Sequence, residues 1–76
     1  MPLFFFQITH AAESFPQTEL ELPHRDAAWE QATVTAGEVL RDLDGRFRPG
    51  TELRLDVADD SRKTIFSLRI TAEAFM

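Results

Sequence analysis

The sequence predicts an α+β domain, one helix packed on a small three- to four-stranded antiparallel sheet, with the elements in the order ββαββ. Three observations carry that expectation. Ala28, Ala32, Ala36, Val39, Leu40 and Leu43 recur at spacings of three and four, which makes one apolar stripe on a 3.6-residue helix. Leu53, Leu55 and Val57 alternate with Glu52, Arg54 and Asp56, the two-residue period of a strand with one buried face. The opening residues alternate too, with Phe4, Phe6 and Ile8 on one face and Leu3, Phe5 and Gln7 on the other.

The first strand is expected over residues 3–9. Its second face carries Leu3 and Phe5, so a simple two-layer domain with one wet sheet face is not what this strand describes. The tail Ala74-Phe75-Met76, or a second molecule, is expected to cover that face. Residues 10–18 read as a turn and a short, poorly formed strand, with Glu13-Ser14-Phe15 extended and Pro16 ending it. Residues 20–22 form another extended piece, a hairpin partner for the first strand that Pro16 confines to a sheet edge.

The helix is expected over residues 24–44. Pro23 pushes Leu22 towards extended geometry, Asp26 sets a carboxylate in the first turn, and Gly45 can take the left-handed conformation that closes a helix. At about 1.5 Å per residue the segment is roughly 31 Å long, enough to cover one face of a small sheet. Alanines fill the first half of its stripe and larger side chains the second, so the helix should approach the sheet most closely at its beginning. Gly37 costs roughly 1 kcal/mol relative to alanine inside a helix, and reads equally well as a site of close backbone approach or as a tolerated imperfection.

After the helix, Pro49-Gly50 fits a type II turn. A strand over residues 51–57 and another over 63–70 are joined by the turn signal Asp59-Asp60-Ser61, forming an antiparallel hairpin with Thr64, Phe66, Leu68 and Ile70 on one face and Lys63, Ile65, Ser67 and Arg69 on the other. The whole chain, residues 1–76, reads as a single domain without repeats or linkers.

Composition narrows the function classes. The 76 residues carry 43% hydrophobic and 28% charged side chains, an ordinary folded balance, and the absence of cysteine removes disulfides and thiolate metal sites. Nothing approaches the roughly 20 apolar residues of a membrane span, and Met1-Pro2-Leu3-Phe4-Phe5-Phe6 lacks the basic region of a signal peptide, so a cytoplasmic location is the default. The net charge of −5 is concentrated in the first half, where Arg25 alone faces six carboxylates, and this argues against non-specific nucleic-acid binding. The most basic cluster, Arg41, Arg46 and Arg48, reads first as cations at the negative helix end and second as an anion or acidic-partner contact.

Met1-Pro2 followed by Phe4-Phe5-Phe6, then Glu21-Leu22-Pro23 leading into Asp26-Ala27-Ala28, an acidic turn at Asp59-Asp60 and a final apolar strand resemble a family of short bacterial proteins, a domain of unknown function whose members open Met-Pro-x-aromatic-Phe-Phe. The resemblance spans nearly the whole chain and implies a bacterial cytoplasmic origin and this fold, but no activity. Two departures stand out: the family usually has an N-capping aspartate directly after the proline, where this chain has His24, and a glycine in the acidic turn near Glu19, absent here.

No constellation of residues carries catalysis. His10 and His24 lack a second ligand at metal spacing and read as surface or capping residues; no cofactor is expected. A dyad of either with Ser14, Ser61 or Ser67 would lack a nucleophile elbow or an oxyanion loop. Asp56, Asp59 and Asp60 read as turn residues rather than calcium ligands. Trp29 reads first as core or boundary packing and second as a binding anchor.

The expected function is a non-enzymatic interaction domain, a homodimer or a docking module for a protein partner, through apolar surface that the helix leaves uncovered: Leu3, Phe5, Trp29, Ile65 and Phe75. Two alternatives stand beside it. One is a small-ligand binder or enzyme using His10 or His24, which would need a pocket of a few hundred cubic ångströms. The other is weak nucleic-acid binding through Arg41, Arg46, Arg48 and Arg54, which requires those side chains to converge.

Overall fold

A computed structural model describes residues 2–11, 13–43 and 45–75. Its elements run β1 (Leu3–His10), β2 (Glu13–Ser14), β3 (Thr18–Glu21), α1 (Arg25–Leu43), β4 (Glu52–Ala58) and β5 (Thr64–Thr71). The α+β class holds, with one helix on an antiparallel sheet, but the sheet has five strands rather than three or four. The physical reason is Pro16. It interrupts the segment after β1, so that two short strands share one edge of β1: β2 opposite Thr9 and His10, β3 opposite residues 3–6. The remaining columns follow as β1-β4-β5, all antiparallel, which leaves β5 at the far edge.

Register decides which residues meet. Phe6 lies opposite Val57 and Ile8 opposite Leu55, and across the next pair Val57 faces Phe66 and Leu55 faces Leu68. These side chains share the face that α1 covers, because opposed residues of an antiparallel pair project the same way. Ala28, Ala32 and Ala36 are buried against this face with Phe4, Phe6, Leu55 and Val57. The helix backbone comes nearest to β4, the approach that alanines permit. Gly37 plays no part in it: a Cβ there would meet nothing within 4 Å, so the close-approach reading falls away.

The helix ends are closed locally. His24 precedes α1, and its Nδ1 accepts the backbone N–H of Ala27 at 3.1 Å. The imidazole thus fills the N-cap position where the resembled family carries aspartate. At the other end Gly45 adopts φ +85°, and Arg46 N–H donates to the Leu43 carbonyl at 2.9 Å. Asp44, the expected last helical residue, lies outside the described residues. Gly50 at φ +89°, with Thr51 N–H donating to Arg48 carbonyl at 3.2 Å, gives the expected type II turn.

Two expectations about the hairpin and tail require correction. A bulge between Val57 and Ala58 sets Phe66 opposite Val57 but Thr64 opposite Ala58, so Ile65 is the extra residue. It packs against the core instead of facing outward with Ser67 and Arg69. The tail does not cover Leu3 and Phe5 either. β5 runs in the same direction as β1, so its end emerges beside His10, a strand length away from Leu3. Phe75 is 88% exposed there. Met76 lies outside the described residues.

Candidate functional site

The residues expected to form one interface occupy four different places. Leu3 and Phe5 lie on the sheet face away from α1, Ile65 packs into the core, Phe75 projects beyond the end of β5, and Trp29 stands on the flank of α1. Phe5 is only 5% exposed. The guanidinium carbon of Arg62 lies 4.0 Å from its ring centroid, so a cation from the β4–β5 turn shields the ring that an associating surface was expected to use. The rest of that face is polar, with Arg54 Nε 3.1 Å from Asp56 Oδ2 and the Ser67 hydroxyl donating to the same carboxylate.

One open apolar surface is at the β5 edge. Phe66, Leu68 and Ile70 line the helix side of this strand, each only half-buried. Trp29 is 40% exposed and packs its ring 5.3 Å from that of Phe66, with Arg25 5.4 Å from the same ring. Trp29 is therefore both boundary packing and exposed aromatic surface.

On the opposite side of the molecule, the second half of α1 stands away from the short strands β2 and β3. A half-open cavity of about 590 Å³ lies between them, floored by Ile8, Phe15, Val39 and Leu43. A second cavity of about 380 Å³ continues it along α1 past Thr35 and Gln31; the two share Ile8, Thr18, Val39 and Asp42. A single helix on a short sheet seldom encloses a pocket of this size. This one arises because two- and four-residue strands cannot cover the flank of a 19-residue helix.

His10 lines this cavity, with its ring 5.7 Å from that of Phe47. Its Nε2 is closed off from solvent and has no hydrogen-bond partner among the described residues. His24 is committed to the helix cap. Neither histidine forms a dyad with the serines of the sheet: Ser14 opposes Thr9 and projects from the face opposite to His10, and Ser67 lies on that same far face beside Asp56. Asp59 serves its own turn, with Oδ1 accepting N–H bonds from Ser61 at 2.9 Å and Lys63 at 3.1 Å. Among the described residues no three acidic or histidine side chains converge as a metal site.

The arginines expected to converge are not all on one surface: Arg41 is on the helix layer, Arg54 is on the far face of β4 against Asp56, and Arg46 folds back so that its Nε and Nη2 donate to the carbonyls of Leu43 and Asp42 at 2.9 and 3.1 Å. No helix among the described residues is long and apolar enough to cross a membrane.

Sequence reasoning missed the cavity and the role of Arg62. Alternation exposed both faces of β1, but the cover for Phe5 comes from a turn 57 positions away, and nothing local signals it. No curated protein and no solved structure matches the chain. A family model described as a domain of unknown function, DUF6894, matches residues 3–71, which takes in every strand and the helix, and the chain belongs to that family.

Proposed function

We propose that this domain is a non-enzymatic protein-interaction module that pairs with a second copy of itself through the edge of β5. The observation that supports this is an eight-residue edge strand with half-buried Phe66, Leu68 and Ile70 beside a 40% exposed Trp29. An edge strand offers a row of free backbone donors and acceptors, and natural domains usually shorten, charge or cover such a row. β5 carries one charged residue, Arg69, and no proline.

Side-chain parity sets the register. Opposed residues of an antiparallel pair share a face, so placing Leu68 against its own copy sets Phe66 against Ile70 and Ser67 against Arg69. Apolar meets apolar on the helix side, no like charges oppose each other, and both helices lie on one side of a continuous sheet.

Sedimentation at high micromolar concentration tests the pairing, and Leu68→Cys tests the register, since the chain has no other cysteine. A concentration-dependent dimer, covalently trapped by mild oxidation of Leu68→Cys and not of Ser14→Cys, is the expected result. A wild type that stays monomeric throughout overturns the reading.

A further inference from the structure

We propose that the groove between the second half of α1 and the β2/β3 side binds an extended peptide segment with alternating apolar and basic side chains. The site lies on the sheet edge opposite β5 and stands independently of self-pairing.

Shape argues for a peptide. The two cavities share four residues and follow α1 from Gln31 to Leu43. Those positions are separated by about 18 Å of helix, the length of roughly five or six residues of extended chain. The floor is apolar through Ile8, Val39, Leu43 and the partly exposed Phe15. It suits the inward side chains of an extended segment, the pattern by which such segments dock beside strands.

Charge argues for a basic one. Glu13, Glu38 and Asp42 line the groove. Among the described residues Arg46 is the one arginine or lysine lining either cavity, and it is turned onto the carbonyls of Asp42 and Leu43, where it offsets the helix end rather than the three carboxylates. The whole chain carries −5, so a basic segment is also attracted at long range. An acidic segment would meet like charge at Glu13, Glu38 and Asp42.

The test is an array of random hexapeptides probed with the full chain, followed by fluorescence anisotropy on the selected sequences. Selected peptides are expected to interleave Lys or Arg with Leu, Ile, Val or Phe. Their affinity is expected to fall at least tenfold in the double variant Glu38→Lys/Asp42→Lys, whose substituted side chains are exposed, and to weaken as salt is raised. A Trp29→Lys variant, altered only at the β5 side, is expected to bind unchanged, which separates failure here from failure of self-pairing. Selection that shows no preference for basic over acidic sequences, or an affinity indifferent to the double charge reversal, overturns the proposal.

Discussion

Arg62 and Phe5 are 57 positions apart in the chain, yet the guanidinium carbon of one stands 4.0 Å from the ring centroid of the other. The contact covers Phe5 on the sheet face that α1 leaves open. It depends on Arg62 holding φ +66°, a left-handed conformation that a non-glycine residue adopts only at a cost. Replacing Arg62 with alanine should expose Phe5 and remove a contact of about 0.5–1 kcal/mol, while leaving the backbone cost in place. The expected readout is a melting temperature lower by roughly 2–8 °C and new binding of a hydrophobic dye. Phe5→Asp, by contrast, should unfold the chain, since it removes a buried aromatic ring and desolvates a carboxylate in a nearly closed site, a loss that pairing with Arg62 does not make good; a folded Phe5→Asp monomer would contradict the placement.

Asp59 builds the turn that presents Arg62. Its carboxylate accepts the N–H groups of Ser61 and Lys63, and its carbonyl accepts that of Arg62 at 2.9 Å. Asp59→Ala should cost about 1–2 kcal/mol for the lost charge-assisted bonds. The effect should be less than additive with Arg62→Ala, because each substitution disturbs the same cover over Phe5. Chemical denaturation of the two single variants and the double variant measures that coupling; full additivity would mean that the turn and the cover are independent.

His24 accepts the Ala27 N–H at 3.1 Å and so closes the first turn of α1. His24→Ala should destabilise the domain by about 0.5–2 kcal/mol, the usual value of an N-cap. His24→Asp should keep the cap and add a negative charge at the positive helix end, for a gain of about 0.3–1 kcal/mol at low salt. Thermal unfolding followed by circular dichroism at two salt concentrations separates the cap from the charge, since only the charge is screened.

Gly37 is the simplest site to improve. It lies inside α1, and a Cβ added there meets nothing within 4 Å. Gly37→Ala should raise stability by about 0.5–1 kcal/mol without altering association or peptide binding. A destabilised Gly37→Ala would show that this face of the helix is occupied in solution.

Periodicity alone made most of the elements legible. The helix expected over residues 24–44 spans Arg25–Leu43, and the alternation of Leu53, Leu55 and Val57 identified the buried side of β4, because side-chain direction follows from repeat length without reference to the rest of the fold. Ile65 escaped that logic. Strict alternation turned it outward, but the bulge at Val57/Ala58 is a property of the pair of strands and has no signature in either strand alone.

The surfaces were the part that residue patterns did not determine. Burial depends on what arrives from distant positions: alternation turns Phe5 away from the helix, and only the folded chain lays Arg62 over it. In the same way the groove beside Val39 and the open edge beside Trp29 exist only through the lengths and order of the strands around β1 and β4. Short-range spacing dictates which way a side chain points; whether anything meets it there is settled only when the chain closes on itself.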